Sequence, residues 1–289
     1  MLGGQRRPGN LVGQYSHLLV LRPGRDHVTI ENGVEQVRRI VQWGHDLVLV
    51  ARRVQVLEAL ADKLRNVAGV GAQVIAADLS TPEGVSAVSR RLDVGGPDGP
   101  HGAAGSAGGP GAASERPVDL LVNNAGFGLG RAFVDNTVAN EERGLDVMVR
   151  AVMVLSHHAA RSMRSRGRGA ILNIGSVASR TGGGTYSAHK AWVVAFTEGL
   201  SEELAGSGVS ATVVCPGPVA TSFFANAGID LGGRLAVATP ERVVADALQA
   251  VRAGRVQTTP TLTYKAAMAA MKVAPRALVL RAMRFLPHM

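Results

Sequence analysis

Short apolar runs alternate with segments of helical periodicity along most of this 289-residue chain. The runs are 18–21, 46–51, 72–76, 118–122, 169–174 and 210–214. Between them, over 54–67 and 185–205 for example, apolar residues recur three and four positions apart, which predicts helices. Strands that are apolar throughout and separated by helices are typical of a parallel sheet covered on both faces. We therefore predict an α/β fold, a single doubly wound parallel-sheet domain over residues 1–289.

The composition limits the class of protein further. Hydrophobic residues make up 46% of the chain and aromatics only 4%, so we expect an aliphatic core. Cys215 is the only cysteine, which excludes an internal disulfide and cysteine-rich metal sites. No run of 18 apolar residues occurs, and no long apolar segment follows Arg6 and Arg7. We expect a cytoplasmic protein without a signal peptide.

The net charge of +9 raises the question of a nucleic-acid partner. The arginines are scattered, however, and no basic cluster is interleaved with aromatic residues. A coding bias toward arginine, or attraction of a phosphate-rich cofactor, explains the charge as well. We predict no nucleic-acid partner.

Two segments depart from the alternation of strands and helices. Residues 93–116 are mostly Gly, Ala, Pro and Ser without periodicity, which predicts a flexible surface insertion. Because the alternation resumes immediately afterwards, we favour an insertion over a linker between domains. Residues 264–289 mix basic with apolar residues and form a basic amphipathic extension. That extension could pack on the body as a helix with basic edges, lie on an anionic membrane surface, or cover a lipid-like substrate.

Polar or turn-forming residues follow four of the predicted strands. They are Asp78, the Asn-Asn-Ala-Gly segment 123–126, Ser176, and the Pro-Gly pair 216–217. Ligands of open α/β sheets bind beyond the carboxyl ends of the strands. We therefore expect these residues to lie together in one site.

Tyr186 and Lys190 are four residues apart on a predicted helix and so share one face. A neighbouring ammonium favours the phenolate, so we expect Lys190 to lower the pKa of Tyr186. Such a tyrosine could exchange a proton with a substrate oxygen near neutral pH, and Ser176 could hold the same oxygen. His189 lies on a different face of this helix, and we assign no metal.

These motifs, in this order, resemble those of the short-chain dehydrogenase/reductase family, and the resemblance extends from Gly44 to about Phe224. It implies that Tyr186 is the catalytic acid/base, that Lys190 holds the nicotinamide ribose, and that Ser176 orients the substrate. It also implies a homo-oligomer, since family members often pair through their long helices. The cofactor-lining positions it implies are Gly33, Asp78, Leu79, Asn124, Ala125, Gly126, Pro216, Gly217, Val219 and Thr221, besides Tyr186 and Lys190.

The end of the second strand bears on the choice of cofactor. A Rossmann site for NAD has an acidic residue there, which accepts from the ribose 2′-hydroxyl. In this chain Ala51 is followed by Arg52 and Arg53, and a guanidinium matches the geometry of a phosphate. This favours NADP(H) over NAD(H), although both arginines could simply cap and solvate the following helix.

The glycine-rich turn of the family is poorly kept. Gly33 matches its last glycine, but residues 25–32 lack the others, and Glu31 would repel phosphate. Three explanations remain open: a different path that uses Gly24, weakened phosphate binding, or a shifted reading frame over about the first thirty residues.

Two further departures lie nearer the tyrosine. Met148 occupies the position of a family asparagine that helps to hold a relay water, and its thioether cannot hydrogen-bond comparably. Only ten positions separate Ser176 from Tyr186, so the loop between them is short, and Ser179 is a less favoured substitute for Ser176.

Two functions follow from this sequence. The first is an NADP(H)-dependent oxidoreductase that interconverts a small-molecule carbonyl and an alcohol by hydride transfer, with Tyr186 as acid/base. The alternative is a non-catalytic binding or scaffold protein of the same fold, with an impaired dinucleotide site.

Overall fold

The computed structural model describes residues 17–23, for which only the backbone is described, together with 45–97, 116–219 and 237–283. Seven strands form one sheet in the order β3-β2-β1-β4-β5-β6-β7. They are β1 (His17–Pro23), β2 (His45–Ala51), β3 (Ala72–Ala76), β4 (Val118–Asn123), β5 (Gly169–Ile174), β6 (Val209–Val214) and β7 (Gln257–Thr258). Gly33, Thr221 and residues 98–115 of the predicted insertion lie outside the described residues.

Helices follow most strands, and two of them begin at residue types that favour helix starts. The Thr81 hydroxyl accepts a hydrogen bond from the Gly84 amide and caps the second helix, and Pro240 occupies the first turn of the sixth. The helices are α1 (Val54–Ala68), α2 (Pro82–Leu92), α3 (Val138–Leu145), α4 (Ala151–Ser165), α5 (Gly184–Glu203), α6 (Pro240–Arg252), α7 (Leu262–Val273) and α8 (Arg276–Met283). A π-helical turn, Asp146–Arg150, joins α3 to α4.

The sheet is covered on both faces, as predicted for a doubly wound fold. One hydrophobic cluster packs α1 and α6 on the sheet, through residues such as Leu57 and Leu248. A second cluster packs α2 and α4 on the other face, through residues such as Val88 and Leu155. The α/β fold class is therefore confirmed, and the core is largely aliphatic.

The direction of β1 differs from the prediction of a fully parallel sheet. β1 pairs antiparallel with both β2 and β4, while the remaining strands run parallel to one another. Its last residue, Pro23, pairs with His45 at the amino end of β2. The described part of β1 therefore ends at the edge opposite the carboxyl ends of the other strands, and Gly24 lies outside the described residues. Hydrophobic patterning predicted the strand but carries no information on its direction.

Gly84 allows α2 to approach the Asp78 turn closely. A Cβ at position 84 would lie 2.0 Å from the backbone oxygen of Asp78, whereas one at Gly199, on an exposed face of α5, would meet nothing within 4 Å. We expect Gly84→Ala to lower the free energy of unfolding by about 1–3 kcal/mol, because backbone must move. Gly199→Ala should raise it by up to about 1 kcal/mol through helix propensity. Urea denaturation of both variants tests this contrast, and equal effects would contradict the close approach.

Candidate active site

The residues predicted to form one site lie at the carboxyl edge of the sheet. Two backbone hydrogen bonds connect the end of β5 with the end of β6 around Ser176. The Gly175 amide donates to the Val214 oxygen at 2.8 Å, and the Val177 amide donates to the Pro216 oxygen at 3.0 Å. Ser176 is thereby held beside the Pro-Gly loop.

A buried chain of polar side chains lies directly behind this edge. The Asn123 amide donates to Asn173 Oδ1 at 2.8 Å and to Ser156 Oγ at 3.0 Å. Asn173 Nδ2 in turn donates to Thr197 Oγ1 at 2.9 Å, and Thr197 donates to the Val193 oxygen. These bonds connect β4, β5, α4 and α5, so they fix the helix that carries Tyr186 relative to the strand that precedes Ser176.

The Ser176 and Tyr186 hydroxyls are in direct contact. Ser176 begins the 3₁₀ turn Val177–Arg180, and its Oγ accepts from the Ala178 amide at 3.1 Å. Its side chain also hydrogen-bonds the hydroxyl of Tyr186, which is buried. Gly182 and Gly184 both adopt positive φ, which lets the short loop turn directly into α5.

The pKa of Tyr186 moves in the direction opposite to the prediction. Burial raises it well above the ordinary value, and the hydrogen bond from Ser176 lowers it only in part. Lys190 Nζ lies 5.8 Å from the centre of the tyrosine ring and donates instead to the Ile174 oxygen at 2.7 Å. Burial also lowers the pKa of Lys190 to about 8. Desolvation is therefore the largest influence on the pKa of both groups.

Met148 lies inside the site, within the π-helical turn. Met148 is fully buried. A Cβ added at Gly126 would lie 3.6 Å from Met148 Sδ and 3.4 Å from Lys190 Nζ. Gly126 thus faces the methionine and the lysine together. His189 packs on another side of α5, where its Cε1 would lie 3.3 Å from a Cβ at Gly144.

A charged pair occupies the carboxyl ends of β2 and β3. Arg52 Nη1 lies 3.9 Å from Asp78 Oδ2, and the arginine side chain is 58% exposed. Burial raises the pKa of Asp78, but hydrogen bonds from Ser80 and the charge of Arg52 outweigh it, so the net pKa is lowered. Arg53 is exposed at the N-cap position of α1, although its side chain makes no capping bond.

The other predicted cofactor positions differ in their accessibility. Leu79 is buried in the core, so only its backbone could border a ligand. Asn124 is half-buried, Ala125 is buried and Gly126 is exposed, in the segment that follows β4. Pro216, Gly217 and Val219 are half-buried in the loop that follows β6.

Sequence reasoning missed two contacts of the Pro-Gly loop. A Cβ at Gly217 would lie 2.3 Å from the Tyr264 ring, so this glycine lets α7 pack on the loop. Cys215 is fully buried, and its Sγ accepts from Gln257 Nε2 at 3.5 Å and from the Ser176 amide. Both contacts join residues that are far apart in the chain, so local sequence patterns do not predict them. The only sequence signal is Gly217 itself, which indicates that another segment packs closely there.

Within the described ranges, no three His, Cys, Asp or Glu side chains cluster as metal ligands. Among the helices described, none is long and apolar enough to cross a membrane.

Comparison with known proteins identifies the family. The sequence model described as short chain dehydrogenase matches residues 112–231. The NADP-dependent 3-hydroxy acid dehydrogenase YdfG of Salmonella typhi is 32% identical over 200 residues, 65% of this chain and 68% of that protein. The chain belongs to the short-chain dehydrogenase/reductase family of oxidoreductases.

Two further relatives extend the comparison. The ketoacyl reductase HetN of Nostoc sp. is 32% identical over 140 residues, which span about half of each protein, 47% of this chain and 49% of HetN. Among solved structures, a short-chain dehydrogenase from Sphingobium yanoikuyae in complex with NADPH superposes with a TM-score of 0.71 at 32% identity. That match covers 84% of this chain and 89% of the other.

The lowered pKa of Lys190 predicts a stability that depends on pH. The unfolded lysine keeps its proton up to pH 10.5 and the native one only to about 8, so stability should rise between these values. Lys190→Met should remove this rise and increase the free energy of unfolding at pH 7 by about 1–3 kcal/mol, since the lost bond to Ile174 offsets part of the gain. Denaturation at pH 7 and pH 9.5 measures both effects. The exposed Lys63→Met serves as the control, and a destabilised Lys190→Met at pH 7 would contradict the prediction.

Proposed function

We propose that this protein is an NADP(H)-dependent oxidoreductase that interconverts a carbonyl and an alcohol by hydride transfer. The observation that carries the proposal is the hydroxyl pair of Ser176 and Tyr186 at the carboxyl edge of the sheet, with Lys190 one helical turn further along α5. Two hydroxyls in contact can address one substrate oxygen, one by proton transfer and one by a hydrogen bond.

The residues at both ends of the site fit a dinucleotide. Arg52 is exposed beside Asp78 and can reach a 2′-phosphate, while Ala51 stands where an NAD site would carry an acid. Gly126 has no side chain, so it leaves space next to Lys190 and Met148 that a larger residue would fill. NADPH in the Sphingobium yanoikuyae structure and NADP in the name of YdfG support the same choice.

In this mechanism the nicotinamide supplies or accepts the hydride. The Tyr186 hydroxyl, whose pKa is raised by burial, is protonated at neutral pH and can donate a proton to the carbonyl oxygen during reduction. Ser176 donates a hydrogen bond to the same oxygen. The Lys190 ammonium, 5.8 Å from the ring centre, stabilises the phenolate left behind.

The direction of β1 favours a second candidate, the non-catalytic binding or scaffold protein. A phosphate-binding turn has to lie at the carboxyl edge, but the chain leaves β1 at the opposite edge. Under this candidate, neither NADPH nor NADH binds to the folded protein.

We further propose a cytoplasmic homo-oligomer with a small-molecule, lipid-like substrate and peripheral membrane contact through the C-terminus. Exposed apolar residues on and before α3, such as Phe133 and Val138, support a paired surface. Exposed Leu262, Val273 and Leu278 on α7 and α8 accompany the basic residues of the C-terminal extension and support membrane contact.

Removal of the Tyr186 hydroxyl should abolish turnover. Tyr186→Phe keeps the buried ring but removes the proton donor, so kcat should fall by at least about 10³-fold while NADPH affinity changes little. Steady-state kinetics and calorimetry measure the two quantities. Unchanged kcat would refute the mechanism.

Substitution of two neighbouring serines tests whether Ser176 is the residue that holds the substrate oxygen together with Tyr186. Ser176→Ala should lower kcat by about 10²-fold, because the hydrogen bond to the substrate oxygen is lost. Ser179→Ala, three residues on and in the same 3₁₀ turn, should leave kcat unchanged. The reverse result would give Ser179 the role assigned to Ser176.

The 2′-phosphate contact predicts a selective loss of affinity. Arg52→Ala should weaken NADPH binding by about tenfold or more and leave NADH binding unchanged, because only NADPH carries the 2′-phosphate. The exposed Arg90→Ala should change neither affinity. Equal losses for NADPH and NADH would contradict the assignment of Arg52.

A further inference from the structure

A basic pocket of about 260 Å³ opens beside β7 and α7, and none of its lining residues is among those assigned above to catalysis or cofactor binding. Its lining includes four cationic side chains and three polar residues of the β7 segment. The cations are Arg180, Arg255, Lys265 and Lys272, and the polar residues are Gln257, Thr258 and Thr259.

One face of α7 supplies much of this pocket. Three lining residues follow Lys265 at intervals of three, four and seven positions, which places all four along a single side of the helix. They are Met268, Ala269 and Lys272. Met268 is buried and covers apolar surface, whereas the two lysines are exposed at the rim. The helix therefore presents two ammonium groups toward the same opening.

Carboxylates of the described residues do not balance the charges in this pocket. Within the parts of the chain that the structure describes, none of Arg180, Arg255, Lys265 and Lys272 forms an ion pair with Asp or Glu. Among the described residues, those that line the pocket include no Asp or Glu. Four cations around one opening repel one another, and a bound anion would relieve that repulsion through charge-assisted hydrogen bonds.

The pocket lies close behind the catalytic serine. Gln257 in its lining donates to Cys215 Sγ, and the same sulfur accepts from the backbone amide of Ser176. Arg180 ends the 3₁₀ turn that Ser176 begins. One buried thiol therefore separates the pocket from the serine.

We propose that this pocket binds the carboxylate or phosphate group of a small anionic molecule. Arginine offers a planar fork and lysine a point charge, so together they accept either group. The buried Thr258 and Thr259 add hydroxyl groups to the pocket lining. The anion is either the charged end of the oxidoreductase substrate or a separate ligand beside the site.

Titration of inorganic phosphate into the cofactor-free protein tests this proposal without any turnover. Calorimetry at constant ionic strength, with chloride as the replaced anion, removes general screening. Wild type should bind phosphate saturably, and the double variant Lys265→Gln/Lys272→Gln should bind at least about tenfold more weakly.

The control is the double variant Lys63→Gln/Arg164→Gln, which also removes two positive charges, but from exposed positions on α1 and α4. It should bind phosphate as wild type does, and circular dichroism with a thermal melt verifies that every variant folds. The absence of saturable binding, or an equal loss in both double variants, would overturn the proposal.

A kinetic comparison then distinguishes the two sources of the anion. If the anion is part of the substrate, phosphate competes with a carbonyl acid, and Lys265→Gln/Lys272→Gln raises KM for the acid but not for its methyl ester. If it is a separate ligand, phosphate binds without competing. Absence of turnover in every protein would refute the proposed oxidoreductase activity and leave the phosphate titration as an independent result.

Discussion

The buried hydrogen-bonded chain Asn123–Asn173–Thr197 is the interaction on which the geometry of the site depends. Unpaired amides and hydroxyls in this core would cost several kcal/mol, so each of these side chains requires its neighbours in place. Thr197 lies two helical turns beyond Lys190 on α5, and Asn173 lies three residues before Ser176. These bonds therefore position the helix that carries Tyr186 relative to the end of β5, beside Ser176.

The site is built at a cost in stability. Lys190 and Tyr186 are both buried, and burial disfavours the charged form of each, as their shifted pKa values show. A lysine with a pKa of about 8 remains mostly charged at neutral pH, and a tyrosine with a raised pKa remains protonated. This pair of states, a cation beside a proton donor, is the one that the proposed carbonyl reduction would use, and under that proposal it explains why the fold keeps a buried lysine.

Most of the fold could be predicted from local signals, because apolar runs, helical spacing and caps act over a few residues. The Thr81 cap and the strands 72–76 and 169–174 are examples. The direction of β1 could not be predicted, since hydropathy reads the same in both directions. The contact of Tyr264 with Gly217 and the raised pKa of Tyr186 also escaped prediction. Both arise from packing between distant segments, so the sequence predicted which residues follow the strand ends but not how deeply they are buried.

We propose that a dinucleotide binds at this sheet edge although β1 runs in the reverse direction. Separate calorimetric titrations of NADPH and NADH into the wild-type protein test it most directly. The account predicts saturable binding of one NADPH per chain, at least about tenfold tighter than NADH. A protein that is folded by circular dichroism yet binds neither nucleotide would contradict the account and establish the non-catalytic alternative as the better description.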